Sequence, residues 1–291
     1  MNNQKEISVV TCSKNRHDYL EEIIESTKNI ANLKEHIIVD FSSNESVDNK
    51  LSDINKKVKI LKIENEKNWW LSRAYNFGMH QAKGDFIFKL DADSVLKIEN
   101  FNKLNYEKYQ YIGLRLDQTG LGNFIISNSL FKEINGFNEY IYHWGYDDLD
   151  ILERIKKIEN IRQTVIDGSK IIKLYTHSNE LRFNIKSDHF KELSRAYSKT
   201  NSYIAAKTSW SNKQKLIYKQ KEKNIFYIKH FYSHRDNGLI MSIRTKVIFL
   251  KVYLNERYKT NLFNKLSFVL SFVPISFLKL IIKKNFYPRK N

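Results

Sequence analysis

The chain has 291 residues, of which 42% are hydrophobic and 13% aromatic, enough to bury a sizeable core and too apolar for a disordered chain. Its single cysteine, Cys12, excludes an internal disulfide framework and suits a reducing compartment. The net charge of +17 is uneven: residues 1–180 carry 25 basic and 27 acidic side chains, residues 181–291 carry 24 and 5, so any surface for polyanions belongs to the last third.

The first residues lack a basic flank followed by a long apolar run, so no signal peptide is expected and the folded part is expected in the cytosol. Apolar β-type runs at Ile7–Thr11, His36–Asp40, Val58–Ile63 and Phe86–Leu90 alternate with helical periodicity at Tyr19–Asn29 and Leu71–Ala82. Read as β-α-β-α-β-α-β, this predicts a Rossmann-like, mainly parallel sheet covered on both faces. Ligands bind such sheets beyond the carboxyl ends of the strands, which directs attention to Thr11 to Ser13, Asp40, and Asp91 to Asp93. From Tyr111 to His177 the pattern is less regular, with strands near Tyr111–Arg115 and Phe124–Ser127 and helices near Ser129–Ile134 and from Asp147 to about Ile158. Beyond Leu181 come Lys-, Tyr- and Phe-rich helical segments. On charge alone the chain divides into a nearly neutral domain, 1–185, and a basic, mainly helical C-terminal region, 186–291.

The segment GDFIFKLDADSVL sets Asp91 and Asp93 two residues apart at a strand end, so both carboxylates point the same way toward one cation or one ribose. Alone the pair is weak evidence, because Asp148 and Asp150 repeat the spacing. In context, ISVVTCSKNR, HIIVDFSSNES and WWLSRAYNFGMHQAKGDFIFKLDADSVL resemble, in order and spacing, the family 2 nucleotide-sugar glycosyltransferases of the GT-A fold. The resemblance implies that Asp40 contacts the nucleotide base, with Thr11 and Ser13 beside it, that Asp91 sits by the ribose and that Asp93 binds a metal. Phe41 departs from the Asp or Trp that many relatives carry. Arg73, in the helix whose family counterpart lies near the donor diphosphate, has a guanidinium suited to phosphate oxygens; the alternative makes Trp69 and Trp70 core residues and Arg73 a surface one.

NGFNEYIYHWGYDDLDILERI, preceded by Gly120 and Gly122, resembles the acceptor-side block of β-1,4-galactosyltransferases and bacterial polysaccharide polymerases. Tyr146-Asp147-Asp148 stands where the family often has Gly-Glu-Asp. Inverting displacement of a nucleoside diphosphate requires a base on the face opposite the leaving group. A carboxylate at a helix start is kept ionised by free N–H groups and the helix dipole, which makes Asp148 the expected base. Asp147 is then expected to bond acceptor hydroxyls, with Trp144 and Gly145 offering a flat apolar face for a sugar ring. In the galactosyltransferase-like relatives a later histidine completes the metal shell, which implies His177 here, with His143 the competitor. Asp93, His177 and phosphate oxygens make a mixed O/N set suited to Mn²⁺, or to Mg²⁺.

Residues 262–284 are apolar but interrupted by Lys265, Pro274 and Lys279, a pattern that favours a helix lying in a membrane interface over one that crosses it. With the basic tail this predicts peripheral attachment to the inner, anionic face of the cell membrane; a helix packed on the catalytic domain is the alternative. The expected protein is therefore a hexosyltransferase acting from a nucleotide diphosphate sugar, UDP-linked, onto a glycan or glycolipid acceptor in surface polysaccharide synthesis. Two other classes compete. A basic nucleic-acid-binding protein would use Lys interleaved with Tyr and Phe, but no recognised binding motif appears and no nucleic acid is expected; a non-catalytic sugar-binding relative would not need every acidic residue of the site.

Overall fold

A computed structural model describes residues 5–49, 51, 56–116, 121–175, 189–208, 210, 217–229 and 243–258, and the structural statements below concern these. In chain order the elements are β1 (Ile7–Ser13), α1 (Leu20–Thr27), β2 (Leu33–Phe41), β3 (Val58–Glu64), α2 (Leu71–Gln81), β4 (Phe86–Lys89), β5 (Ser94–Leu96), α3 (Ile98–Asn102), β6 (Tyr111–Arg115) and β7 (Asn123–Ser127). They continue with α4 (Asn128–Glu133), α5 (Asp147–Ile155), β8 (Gln163–Asp167), β9 (Ile172–Leu174), α6 (Phe190–Lys207), β10 (Ile217–Glu222), β11 (Ile225–Lys229) and α7 (Ile243–Tyr258).

β1 is buried along its whole length because it runs through the middle of a nine-stranded sheet of order β10-β11-β3-β2-β1-β4-β7-β6-β8. It pairs in parallel with β2 and β4, and β2 in turn with β3, so these strands end on one rim. Ser13 lies opposite Asp40 there. β7 runs antiparallel between β4 and β6, and that reversal brings its first residues to the same rim, with Phe124 opposite Lys89. Alternation along β1 sorts its side chains between two cores: Val10 and Cys12 join the one that includes the apolar side chains of α2, and Ile7 and Val9 the one with those of α1. The mainly parallel, doubly covered α/β sheet is the one expected from the sequence.

Three features differ from the expected order. Between β2 and β3, where the βαβ reading needs a helix, the described residues hold only a 3-10 turn, Val47–Asn49. The cause is local: Ser42, Ser43, Asn44 and Ser46 favour turns over helix, and the Asp40 carboxylate gathers the Ser43 and Val47 amides (3.0 and 3.2 Å). Second, β5 pairs with β9 in a separate two-stranded ribbon that neither segment's length announced. Third, the basic region contributes strands as well as helices: β10 and β11 form a hairpin whose second strand runs parallel to β3, extending the main sheet. The boundary set near residue 185 falls in 176–188, outside the described residues.

The Asn135-Gly136-Phe137 segment is a turn that fastens two helices. Asn135 and Gly136 both have positive φ, 61° and 66°, a region in which only Asn, Asp and Gly are common. Asn76 of α2 donates to the Phe137 carbonyl (2.9 Å) and to Glu139 (2.7 Å) and accepts from the Phe137 amide (2.7 Å). From the other side Arg154 of α5 donates to the carbonyls of Ile134 (2.6 Å) and Gly136 (2.7 Å). It also pairs with Asp150 at 2.8 Å, which gives the second Asp-x-Asp spacing a structural role. A Cβ on Gly136 would collide with the Asn76 amide and lie 2.9 Å from Phe131 Cζ. Gly136→Ala is therefore expected to lower unfolding free energy by about 3 kcal/mol or more, summing left-handed strain and overpacking; a loss under about 1 kcal/mol in urea titration would contradict this account of the turn.

Candidate active site

On the donor side the structure separates residues that shape the rim from those that face outward. Thr11 is fully buried and its Oγ1 lies 3.0 Å from His36 Nε2, whose Nδ1 lies 2.9 Å from Thr27 Oγ1; burial pushes His36 down to about 3, so the imidazole is neutral between two hydroxyls. Ser13 donates to the Arg16 carbonyl (2.7 Å) and closes the loop after β1. Asp40 is buried, its two oxygens holding the loop after β2. Arg73 is buried against Glu66 (3.6 Å), its guanidinium 3.5 Å from the Trp70 ring centroid. These four expected donor residues are thus engaged inside the protein. Three neighbours that the sequence did not single out as ligands complete this wall. Lys14 Nζ donates to the carbonyls of Phe41 (3.1 Å), Ser42 and Glu66 (2.9 Å), knotting three loops together. Arg16 lies 5.4 Å over the ring of Trp69, whose edge meets Phe41.

Asp91 is the donor-side acid that reaches solvent, its side chain 29% exposed. Its Oδ1 accepts from Tyr75 of α2 (3.0 Å) and from the ammonium of Lys89 (2.5 Å), and its amide donates to Asn123 Oδ1 (2.7 Å). Lys89 is 1% exposed, donates also to the Gly122 carbonyl, and lies 4.4 Å from the Tyr75 ring centroid. Gly122 fits because a Cβ there would come within 2.8 Å of Asp91 Oδ2. Asp93 is buried nearby; its carbonyl accepts from Tyr175 (2.7 Å) and its Oδ1 from Ser94 (3.4 Å). His177 lies outside the described residues, as does Gly120.

The acceptor-side acids arrive from α5. Asp148 Oδ2 accepts from the Leu121 amide (2.8 Å) and its Oδ1 from the Leu149 amide (2.8 Å). Asp147 is pushed up to about 7, first by burial in the cleft and then by the Asp148 charge; Lys89 opposes that rise and Asp91 adds to it. Lys89 binds both Asp91 and the Gly122 carbonyl while the adjacent Leu121 amide binds Asp148, the neighbour of Asp147, so these four side chains share one cleft. The loop before α5 is strained: His143, Gly145 and Tyr146 have φ of 59°, 86° and 74°. It leaves Trp144 39% exposed. Asn201 of α6, fully buried, holds the loop by donating to the carbonyls of Tyr142 (2.9 Å), Trp144 (3.3 Å) and Gly145 (2.8 Å). Gly145 also lets α6 approach, since a Cβ there would lie 3.2 Å from Ser198 Cβ. His143, the alternative metal ligand, instead stacks between Tyr142 and Tyr197 with ring centroids 4.7 and 4.5 Å away.

Among the described residues no three His, Cys, Asp or Glu side chains form a metal cluster by themselves. Asp93 nevertheless supplies hard carboxylate oxygens of the kind Mn²⁺ and Mg²⁺ accept, while Asp91 beside it is already held by the Lys89 ammonium and the Tyr75 hydroxyl. The residues present fit a cation whose remaining ligands come from a diphosphate.

Residues 8–127 match the family model of glycosyl transferase family 2, and residues 101–178 match that of the N-terminal domain of galactosyltransferase. No curated protein matches the chain significantly in sequence. Among solved structures, it is similar to a mannosyltransferase from Pyrobaculum calidifontis in complex with GDP-Man and Mn²⁺, at 12% identity and TM-score 0.53, over 73% of this chain and 67% of that one. It is also similar to the catalytic domain of Drosophila β1,4-galactosyltransferase 7 in complex with xylobiose, at 14% identity and TM-score 0.52, over 81% of this chain and 99% of that one. At these identities the likeness establishes the fold, which is GT-A. Sheet, acidic rim and the two overlapping matches define a glycosyltransferase of the GT-A class. The chain is similar to glycosyl transferase family 2 over residues 8–127 and, overlapping it from residue 101, to the galactosyltransferase block over 101–178.

Asn201→Leu keeps the branched four-atom skeleton of the side chain but leaves three carbonyls without their donor. A loss of about 2–4 kcal/mol in stability is expected, with faster amide exchange at 142–146 than elsewhere; unchanged exchange there would show that α6 does not hold the loop.

Proposed function

We propose that this enzyme is an inverting hexosyltransferase that moves a hexose or N-acetylhexosamine from a UDP-linked donor to a glycan or glycolipid acceptor in surface polysaccharide synthesis. The observation that carries the proposal is the bonded run at the carboxyl rim of the sheet that brings Asp91, through Lys89 and residues Leu121 and Gly122, to Asp148 and its neighbour Asp147, which joins a donor half to an acceptor half. The Drosophila galactosyltransferase is also known with manganese, UDP-Gal and xylobiose bound, at 13% identity and TM-score 0.50, over 81% of this chain and 98% of that one, which supports a UDP-sugar and a sugar acceptor here.

In this proposal Asp91 faces the donor ribose, while Thr11, Ser13, Asp40 and Arg73 set the shape of the donor wall through the buried contacts described above. Trp144 and Gly145 present the acceptor ring and Asp147 accepts from its hydroxyls. Asp148 takes the proton of the attacking hydroxyl as the new glycosidic bond forms and the bond to the diphosphate breaks. The Leu121 and Leu149 amides hold its two oxygens in place. We assign a Mn²⁺ (or Mg²⁺) site to Asp93 and His177; Tyr175, two residues before His177, is tied to the Asp93 carbonyl, which supports that pairing. Such a cation, when bound, stabilises charge on the departing diphosphate.

We further propose that the basic tail, including residues 262–284, attaches the protein to the anionic inner face of the cell membrane. The tail's charge supports this. Residues 262–284 lie outside the described residues, among which no helix is long and apolar enough to cross a membrane. Co-sedimentation of the full chain with anionic but not neutral vesicles is expected; equal binding to both would contradict it.

A screen of nucleotide sugars for Mn²⁺-dependent turnover tests the activity. Asp148→Asn is expected to lower kcat by about 10²–10⁴-fold, and Asp93→Ala to abolish Mn²⁺ dependence together with turnover. Asp147 works ionised in this proposal, so acceptor kcat/KM should fall as pH drops through about 7, and Asp147→Asn should remove that inflection. Full activity in Asp148→Asn would exclude it as the base.

A further inference from the structure

Lys89 has no place in the chemistry above, yet a lysine this buried is costly unless its ammonium is fully engaged. It is engaged on three sides: by Asp91 Oδ1 (2.5 Å), by the Gly122 carbonyl, and by the face of Tyr75. Tyr75 also donates to the same Asp91 oxygen (3.0 Å). The two-residue segment on the far side of Lys89 faces both ways, since the Gly122 carbonyl accepts from the lysine while the Leu121 N–H donates to Asp148 (2.8 Å). Hydrogen bonds and this short stretch of backbone therefore link Asp91, Lys89, Leu121, Gly122 and Asp148. Lys89 also opposes the rise at Asp147.

We propose that Lys89 is a positioning residue that neutralises Asp91, so that the Asp-x-Asp block presents Asp93 as its charged ligand to the cation, and that it fixes the Leu121–Gly122 segment that holds Asp148. The proposal rests on the assignment of a cation to Asp93. Asp91, with one oxygen receiving two donors and its charge matched by an adjacent ammonium, is held for a hydrogen-bonding task. Without Lys89, an uncompensated carboxylate would stand two residues from Asp93, and its field would draw a divalent ion more strongly into the cleft.

The sign of that effect separates a charge-setting role from a merely structural one. Mn²⁺ binding to the full-length chain with UDP present is measured from loss of the free-ion paramagnetic resonance signal, with circular dichroism reporting the fold. Lys89→Met is expected to bind Mn²⁺ about tenfold more tightly than the wild type, and Lys89→Arg to bind within about threefold of it. The double variant Lys89→Met/Asp91→Asn removes both charges of the buried pair, a change that folded proteins tolerate far better than loss of one partner. It should return Mn²⁺ affinity to within about threefold of the wild type. Asp93→Ala, measured in parallel, should lose binding, and retained binding there would remove the site itself and the proposal with it. If Asp93→Ala loses binding and the folded double variant loses it too, by tenfold or more, Asp91 is itself a metal ligand and the proposal is overturned while the Asp93 assignment stands. Weaker binding in a folded Lys89→Met would overturn it equally.

Discussion

Mutual repulsion of carboxylates is the constraint this site has to meet. At an effective dielectric constant near 20, two carboxylates about 6 Å apart repel by about 3 kcal/mol, and Asp147 feels the charges of both Asp148 and Asp91. What keeps the acids together is one buried ammonium and one short backbone segment: Lys89 binds Asp91 and Gly122, and Leu121 binds Asp148. Asp147, raised first by burial and then by the Asp148 charge, holds its proton up to about 7. A cleft so charged suits a reaction that brings a cation and a diphosphate into it.

The framework around this bridge is built to keep the two halves in register. Tyr75 and Asn76 are consecutive in α2, yet one bonds Asp91 and the other grips the turn at Asn135–Phe137. Arg154 carries the connection from that turn to α5, whose first residues are the paired acids. The acceptor loop is fixed from the other direction by Asn201 and Ser198 of α6. The basic region thus takes part in the catalytic architecture twice, through α6 at the acceptor loop and through β10–β11 at the sheet edge.

Strand positions and the acidic pairs were legible in the sequence because they follow local rules: alternation, helix periodicity and carboxylates where an apolar run ends. Asp91 came out of that logic with the support of the family resemblance, and Asp148 out of the resemblance of its block and its place at a helix start. Lys89 did not, since in FIFK it looks like the polar end of a strand, and only the antiparallel return of β7 brings Gly122 to it. Asn201 looked like any polar residue of a lysine-rich helix, and Arg154 like a surface arginine; their partners lie 18 to 59 residues away in sequence, a separation at which pattern carries no signal. The burial of Thr11, Ser13 and Asp40 was equally invisible, because a strand-end polar residue reads the same whether it faces a ligand or a neighbouring loop, and that of Arg73 because an arginine in the first turn of a helix reads as exposed.

The most direct test of the two-half cleft is paramagnetic broadening of backbone amide signals by Mn²⁺ added with UDP. The account predicts strong broadening at Leu121 and Gly122 and at Asp147 to Leu149, with Asn32 and Glu107 on the opposite rim remaining sharp. Broadening confined to the strand ends of β1 and β2, with Asp147 to Leu149 untouched, would show that the acids of α5 do not share the cation's cleft.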